Sequence, residues 1–322
     1  MRRCQLCQSR PAFARIPHYG VVVCRECFIE MIVSRVRKEI ERFKMIEPGD
    51  RILLAVSGGK DSLTLLDVMA RIYDVSKMVA LTIVEGIRGY DRSSEVEEAR
   101  RIAKSLGIDH IVVDMRKEIG FSVDEFMEAQ KVLKVRSMLS ACTFCGVARR
   151  RILNIYARSL GTNKVATGHN LDDEVHTYIM NILRGDIMRL VQLHPLSQVH
   201  SPAIVKRIKP LRKVYEYETT LYAYVRGFHM QEAECPYLSQ RPTLRARIRE
   251  ILYAFEYLEP GALMRFLETV DEVLKPLVEE WRSRRFKLNY CERCGEPTSE
   301  KRRVCKMCEL IDLILSARSS LS

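Results

Sequence analysis

Residues 51–68 read RILLAVSGGKDSLTLLDV, and this stretch decides the fold class. It opens with an apolar run typical of a buried strand, and the apolar residues after Ser62 recur with helical spacing. Between them, Gly58 and Gly59 let the backbone turn tightly and present consecutive N–H groups at a helix start, where anions bind. The stretch therefore predicts a strand, a phosphate-binding loop and a helix.

The alternation of strand and helix continues along the chain. Strands are predicted at 51–56, 78–84, 110–114 and 163–167, and helices at 28–43, 61–73, 94–105, 122–134, 145–160, 171–184, 214–226, 242–256 and 260–280. Ser94 and Glu97 have the spacing of a capping box at the start of one helix. This pattern predicts an α/β fold with a doubly wound parallel sheet, which binds ligands at the carboxyl ends of its strands.

Composition narrows the class of protein. Lys and Arg number 53 against 41 Asp and Glu, and the net charge of +12 favours a polyanionic partner, with a merely solvated basic surface as the alternative. No apolar run reaches the ~18 to 20 residues of a membrane helix, and the start lacks a secretory signal. We expect a cytoplasmic protein without a membrane partner.

Ten of the 11 cysteines form five C-x-x-C pairs. In a cytoplasmic protein this spacing predicts metal binding, with a redox dithiol as the alternative. Two pairs at each end make two four-thiolate sets with the spacing of zinc ribbons. The first set is Cys4, Cys7, Cys24 and Cys27, and the second is Cys291, Cys294, Cys305 and Cys308. His18 can replace one thiolate of the first set, but we interpret it as a loop residue.

The loop at 57–62, SGGKDS, lacks the spacing of a Walker A loop and of the G-x-G-x-x-G fingerprint. It resembles the PP-loop of the ATP pyrophosphatase superfamily, whose members split ATP between the α and β phosphates. TGHNLDD at 167–173 resembles the second nucleotide and metal loop of that superfamily, although two acids at a helix start can be mere caps. The resemblance implies an ATP site formed by Ala55, Val56, Ser57, Gly58, Gly59, Lys60, Asp61, Ser62, Gly168 and Asp173. It makes Asp61 a catalytic candidate and Asp173 a candidate Mg²⁺ ligand or catalytic carboxylate.

Cys142, Cys145 and Cys235 remain outside the two ribbon sets. Cys142 and Cys145 stand one helical turn apart, so both thiolates can face one point, and Cys235 can complete a set of three. Three thiolates are one short of the usual four for zinc or for an iron–sulfur cluster. A cubane held by three cysteines leaves one iron open to an outside ligand, whereas buried thiols or a disulfide are the alternatives.

The combination of SGGKDS, TGHNLDD and CTFCGVARR resembles the TtuA/TtcA family of tRNA-thiolating PP-loop enzymes, and the flanking ribbons favour its tRNA 2-thiouridine synthetase branch. The resemblance spans nearly the whole chain. It implies a [4Fe-4S] cluster on Cys142, Cys145 and Cys235, catalytic roles for Cys142, Cys145 and Arg149, a ubiquitin-like sulfur carrier with a C-terminal thiocarboxylate, and a homodimer. Some members place lysine at the position of Arg149.

We expect five segments: an N-terminal zinc ribbon (1–30), a linker helix (31–47), the PP-loop ATP pyrophosphatase catalytic domain (48–240), a helical extension (241–286), and a C-terminal zinc ribbon with its tail (287–322). Basic clusters make tRNA contact another expectation. They comprise Lys206, Arg207, Lys209, Arg212 and Lys213, then Arg241, Arg245, Arg247 and Arg249, then segment 281–308 with Trp281, Phe286 and Tyr290 interleaved. Any one of these clusters can also be only a solvated face.

The function expected from the resemblance is ATP-dependent 2-thiolation of a tRNA uridine, in the T-loop, giving 2-thioribothymidine. ATP with Mg²⁺ adenylates uridine O2, and sulfide from the open iron replaces the AMP. Three alternatives remain open: a persulfide on Cys142 or Cys145 without a cluster, a lysidine-type tRNA-modifying or amidating enzyme that does not need the third cysteine set, and a non-catalytic zinc-ribbon RNA-binding protein.

Overall fold

The computed structural model describes residues 2–197, 201, 203–229, 234–238, 244–283 and 288–320, which contain nine strands and twelve α-helices. The strands are β1 (Ala14–Ile16), β2 (Val21–Val23), β3 (Ile52–Ala55), β4 (Met78–Val84), β5 (Asp109–Asp114), β6 (Lys164–Thr167), β7 (Lys206–Ile208), β8 (Leu288–Tyr290) and β9 (Pro297–Ser299). The helices are α1 (Arg25–Arg42), α2 (Lys60–Ile72), α3 (Ser93–Ser105), α4 (Met115–Ile119), α5 (Val123–Val132), α6 (Ala141–Ser159), α7 (Leu171–Leu183), α8 (Ile187–Leu193), α9 (Glu216–Arg226), α10 (Leu244–Leu258), α11 (Ala262–Ser283) and α12 (Lys306–Ser319).

A five-stranded parallel sheet in the order β5-β4-β3-β6-β7 forms the centre of the protein. The apolar strand β3 lies in the middle, where Ile52 pairs with Met78 of β4 and with Lys164 of β6. Successive β3 residues face opposite cores: Ile52 packs with α1 and α2, and Leu53 packs with α5 and α6. This arrangement confirms the predicted doubly wound sheet.

Several short elements were not predicted. β7 has only three residues, two of them cationic, so it lacks the apolar run that identifies a buried strand. The helices α4 and α8 are also short, and α12 lies in a segment predicted only as ribbon and tail. The predicted capping box at Ser94 is wrong, because α3 already begins at Ser93 and Ser94 donates instead to the Glu95 carboxylate at 3.0 Å.

The two cysteine-rich ends share one design. Each has an antiparallel strand pair, β1–β2 or β8–β9, followed by a helix that packs on the helices around the central sheet. Cys24 is the N-cap of α1 and Cys305 is the N-cap of α12, and in both cases Sγ accepts from the backbone N–H three residues on. α1 packs on α2 and α9, and α12 packs on α5 and α6. A metal held by either end would therefore also stabilise a helix start.

None of the helices in the described ranges has both the length and the apolar character needed to cross a membrane. The predicted segment boundaries at 240/241 and 286/287 fall outside the described residues. The five-segment division therefore stays a prediction.

Candidate nucleotide and thiol site

The loop after β3 closes on itself through two serines. Ser62 Oγ accepts from the backbone N–H of Ser57 at 3.1 Å and donates to the carbonyl oxygen of Gly59 at 2.8 Å. Gly59 is the N-cap of α2, and no side chain caps that helix end. The first N–H groups of α2 are thus left for another acceptor, which is the geometry of an anion site at a helix N-terminus.

Two glycines in this region lie very close to neighbouring backbone, and at Gly58 a side chain would not fit. Gly58 has φ +84°, and a Cβ there would lie 2.4 Å from the carbonyl oxygen of Glu95. Gly168, at the end of β6, would place a Cβ 3.1 Å from the backbone of Asp61 and Ser62. The structure therefore packs the second loop directly against the first, whereas the assignment of Gly168 to an ATP site stays a prediction.

Asp61 is held from three directions at the start of α2. Its Oδ1 accepts from Thr219 Oγ1 at 2.5 Å and from Asn170 Nδ2 at 3.2 Å, and its Oδ2 accepts from Lys60 Nζ at 2.9 Å. Lys60 also pairs with Glu216 at 3.2 Å. These contacts fix the orientation of both side chains beside the loop, where the ammonium group of Lys60 can meet phosphate oxygens.

Glu216 links Lys60 to helix α10. Its carboxylate accepts from Arg249 at 2.8 Å and from Tyr253 at 2.6 Å. Burial opposes ionisation of Glu216, but Tyr253, Lys60 and Arg249 outweigh it and lower its pKa. Glu216, Thr219 and Tyr253 were not predicted, because no local sequence pattern marks them.

The second loop forms a capping box at the start of α7. Asn170 Oδ1 accepts from the N–H of Asp173 at 3.0 Å, and the Asp173 carboxylate accepts from the N–H of Asn170 at 3.4 Å. Asn170 therefore bridges the two predicted acids, Asp61 and Asp173. Neighbouring Asp172 is buried, accepts from the Glu216 N–H at 2.7 Å, and has its pKa raised to about 6, chiefly by burial. A structural role for Asp173 is thus visible, and its catalytic role stays a prediction.

Glu85 follows the carboxyl end of β4 and joins the loop to the cysteine helix. It is 1% exposed, accepts from Arg92 at 3.2 Å, and pairs with Arg149 of α6. Arg92 also donates to the carbonyl oxygen of Ser57. Burial opposes the charge on Arg149, but Glu85 outweighs it and raises the pKa of Arg149. Arg149 was predicted from the sequence, whereas Glu85 and Arg92 carry no local pattern and were not.

The third cysteine set is Cys142, Cys145 and Cys235, and its member Cys145 lies one helical turn before Arg149 on α6. Cys142 is exposed on the first turn of α6, whereas Cys145 and Cys235 are half-buried against the same hydrophobic core. Burial raises the pKa of Cys145 to about 11; Arg149 opposes this rise, and Glu85, Cys142 and Cys235 add to it. Cys142 and Cys235 thus act on Cys145 electrostatically, but among the described residues these three thiols do not have their Sγ atoms all within 4.8 Å of one another, as the ribbon sets do.

Within the described part of the chain, two groups of metal-ligating side chains have all their ligand atoms within 4.8 Å of one another, and both are the predicted ribbon sets. The Sγ atoms of Cys7 and Cys24 are 3.9 Å apart, and those of Cys294 and Cys305 are 3.7 Å apart. Thiolates bound tetrahedrally at a Zn–S distance of ~2.3 Å would lie ~3.8 Å apart. Both sets therefore fit zinc.

His18 lies outside the first thiolate set, between Tyr217 at 3.0 Å and Arg35 at 3.4 Å. Burial and the charge of Arg35 lower its pKa to about 3. At the other end, Arg151 of α6 donates to Cys294 Sγ at 3.3 Å. The helix with the third cysteine set thus also contacts the C-terminal ribbon.

The predicted basic clusters are only partly available to RNA. Arg212 is 0% exposed and bonds Asp271 and Glu39, so its assignment to an RNA surface is wrong. Lys209 and Lys213 pair with Glu174 and Glu268, and Arg249 pairs with Glu216. Lys206 is half-buried, while Arg207, Arg247 and Tyr290 are exposed. Arg241, Phe286 and the side chain of Arg245 lie outside the described residues.

Comparison with known proteins shows which family has this sequence and fold. Residues 32–254 match the PP-loop domain family. The chain belongs to the PP-loop family. This PP-loop chain is 33% identical to the tRNA 2-thiolation protein NcsA of Haloferax volcanii, over 97% of the chain and 98% of that protein. It is 34% identical to the tRNA-5-methyluridine(54) 2-sulfurtransferase of Thermus thermophilus, over 97% of the chain and 91% of that protein.

A solved structure extends this likeness to three dimensions. The U34-tRNA thiolase NcsA from Methanococcus maripaludis, described with its [4Fe-4S] cluster, matches this PP-loop chain with a TM-score of 0.77. The two are 29% identical, and the match covers 97% of this chain and 96% of that one. The likeness therefore includes both cysteine-rich ends as well as the sheet.

Proposed function

We propose that this PP-loop protein is an ATP-dependent tRNA-uridine 2-sulfurtransferase. The observation that carries the proposal is the Glu85 bridge, which holds the phosphate loop through Arg92 and the cysteine helix through Arg149. A site that activates an oxygen with AMP thus lies beside a set of three thiols. The thiolation proteins among its full-length relatives support the same function.

In the first step, the loop binds ATP with its phosphates at the N-terminus of α2 and beside Lys60. Asp61 and Asp173 would hold Mg²⁺, because carboxylates are the ligands that this ion uses. Uridine O2 attacks the α-phosphorus, and the bond to the β-phosphate oxygen breaks, so that pyrophosphate leaves. The poor leaving group at C2 becomes an adenylate.

Cys142, Cys145 and Cys235 would hold the [4Fe-4S] cluster. The donor set fits: all three are thiols, two are half-buried, and the charge of Arg149 lies beside Cys145. A cluster bound by three protein ligands supplies an open iron position where a sulfur atom can be held. Arg149 would keep the helix that holds the cluster beside the phosphate loop, since it pairs with Glu85.

In the second step, a sulfur nucleophile adds to C2, the C2–O bond breaks and AMP leaves. We infer that the sulfur comes from a ubiquitin-like carrier with a C-terminal thiocarboxylate and that the enzyme works as a homodimer in the cytoplasm. The fungal relatives named cytoplasmic tRNA 2-thiolation proteins support this location. Two Zn²⁺ would occupy the ribbon sets.

The target is expected to be the T-loop uridine, because the Thermus relative is named for 5-methyluridine 54. The wobble uridine is the second candidate, because the structural relative is named a U34-tRNA thiolase. Mass spectrometry of tRNA nucleosides from cells with and without the gene, followed by mapping of the 2-thiouridine, separates these two positions. If both positions keep their 2-thiolation in cells without the gene, the proposal is contradicted.

Protein purified without oxygen gives the mechanistic test. With ATP, Mg²⁺, sulfide and unmodified tRNA, it should form pyrophosphate and 2-thiouridine, and the rate should follow the iron content. Cys235→Ser should lose iron and thiolation while still binding ATP. Cys291→Ser, which removes a thiol of the C-terminal ribbon set, should lose one of the two zinc ions and keep its iron.

Each alternative has its own outcome. Full activity of iron-free protein would favour a persulfide on Cys142 or Cys145. Retained modification by Cys235→Ser would favour a lysidine-type reaction. Failure to release pyrophosphate from ATP and tRNA would favour a non-catalytic RNA-binding protein.

A further inference from the structure

Three arginines from three elements meet at the β7 edge of the sheet. Arg207 of β7 donates to the backbone carbonyl of Arg150 in α6 at 3.3 Å, and Arg189 of α8 acts on Arg150 electrostatically. Both side chains reach the surface, and partial desolvation together with a neighbouring arginine, Arg150 for Arg207 and Arg189 for Arg150, lowers the pKa of each. Arg189 pairs with Asp186 at 3.0 Å. At Arg150 and Arg207 the dominant charge interactions are therefore repulsive, which is typical of an anion-binding site.

This cluster lies beside the third cysteine set. Arg150 turns back along α6, because its Nη1 lies 3.4 Å from where a Cβ of Gly146 would be. Gly146 directly follows Cys145, so the guanidinium of Arg150 sits near the end of the helix that presents the thiols. Arg149, the preceding residue, leaves the helix ~100° away and pairs with Glu85. The thiols thus lie between an arginine that faces the nucleotide loop and one that faces the sheet edge.

A cavity of about 550 Å³ opens next to the cluster, between β7, α8 and α11. Its wall includes the apolar side chains of Val191 and Val278 and the indole of Trp281, and its cations include Lys206, Arg207 and Arg282. Burial, Lys164 and Arg282 together lower the pKa of Lys206. Glu174 also lines the cavity, but it pairs with Lys209 at 2.5 Å. An apolar cavity with a cationic rim fits a ligand that is flat at one end and anionic at the other.

We propose that the tRNA chain crosses this edge, with backbone phosphates held by Arg150, Arg189 and Arg207 and an unpaired base received in the cavity against Trp281. The proposal rests on tRNA being the substrate. RNA provides both chemistries in one strand, since phosphates bind arginine and unpaired bases stack on aromatic rings. A strand bound here passes within one helical turn of the thiols, which brings a neighbouring uridine to the reactive site.

Trp281 is the only tryptophan of the chain, so its emission reports directly on the cavity. Unmodified tRNA is titrated into the anaerobically purified protein at two salt concentrations, and filter binding measures affinity in parallel. We expect tRNA to change Trp281 emission along the binding curve, and ATP alone to leave it unchanged. Arg207→Glu should weaken binding about tenfold and reduce the salt slope by about 1, whereas Arg207→Lys should keep the slope.

Arg100→Glu is the matched control, because Arg100 is an exposed arginine of α3, on the opposite side of the sheet, paired with Glu97. It should leave affinity, slope and emission unchanged. If Arg207→Glu does not fold, as judged by circular dichroism, Arg189→Gln replaces it, because this side chain is 69% exposed and pairs within its own helix. The same loss of affinity and slope is expected for Arg189→Gln.

The proposal is overturned if tRNA binds without changing Trp281 emission, or if the variants match the wild type in affinity and salt slope. Release of pyrophosphate in the presence of tRNA would then show that the proposed function stands and that the RNA lies elsewhere. A wild-type protein that binds no tRNA would overturn the surface and the proposed function together.

Discussion

The buried carboxylate of Glu85 pairs with Arg149 through one oxygen and accepts from Arg92 at 3.2 Å through the other. Arg92 extends this contact to the carbonyl oxygen of Ser57 in the phosphate loop. One side chain thus fixes the distance between the nucleotide loop and the helix that carries Cys142 and Cys145. In the proposed mechanism, coupling of uridine activation to sulfur transfer depends on this distance.

Replacing Glu85 tests that dependence. Glu85→Gln keeps the shape of the side chain but cannot neutralise two arginines, so we expect the thiolation rate to fall about 10- to 100-fold. Release of pyrophosphate should fall less, because the loop also closes through Ser62. Glu97→Gln, on the exposed face of α3, is the control. Thiolation by Glu85→Gln at the wild-type rate would contradict the role of the bridge.

Gly58 is expected to tolerate no side chain. Gly58→Ala would combine a φ of +84° with a contact of 2.4 Å to the carbonyl oxygen of Glu95, so ATP binding should be lost. Gly107→Ala is the matched control: its φ is +72°, but nothing lies within 4 Å of the new methyl group. The control should cost about 1 kcal/mol of unfolding free energy and leave ATP binding intact. Isothermal titration with ATP compares the two variants, and equal affinities would show that the close approach is unimportant.

Metal analysis tests the ribbon sets. We expect the purified protein to contain about two zinc ions per chain, because each set has the thiolate spacing of tetrahedral zinc. Cys305→Ser should lower this to about one and destabilise α12, whose N-cap it is. Inductively coupled plasma mass spectrometry gives the zinc content, and urea unfolding gives the stability. A wild-type protein that is stable without zinc would refute the prediction.

Arg212 is predicted to act on stability rather than on RNA. Its guanidinium is buried with Asp271 and Glu39, and removal leaves Asp271 without its arginine and Glu39 with only Lys213, at 3.8 Å. Arg212→Ala should therefore lower the unfolding free energy by about 3 to 5 kcal/mol, measured by urea unfolding. Arg42→Ala is the neighbouring control, because its pair with Glu272 is exposed and should contribute less than ~1 kcal/mol. A stable Arg212→Ala with a reduced salt slope for tRNA would restore the RNA assignment.

His18 should make stability depend on pH. Its pKa is about 3 in the folded protein because of burial and Arg35, whereas an unfolded histidine titrates near 6.5. Below pH ~6.5 the unfolded chain binds the extra proton, so stability falls as pH falls. Between about pH 7.5 and about pH 5.5 the wild type should lose about 1 kcal/mol more than His18→Gln. The comparison of the two proteins cancels the loss of zinc in acid, and identical pH profiles would show that His18 titrates normally.

The parts that the sequence predicted are those with local patterns. β3 is apolar because both faces of the sheet are covered, and Gly58 is required by its positive φ, so each leaves a mark in a few consecutive residues. Glu85 and Glu216 are different, because their partners lie seven to 156 positions away and meet them only after folding. β7 was missed because three residues with two cations carry too little periodicity.

Arg149, Arg150 and Arg151 follow one another on α6, yet they go to Glu85, to the β7 edge and to Cys294 of the C-terminal ribbon. Three consecutive residues therefore connect one helix to three different parts of the protein. Any rotation of α6 about its axis would therefore shift all three contacts at once.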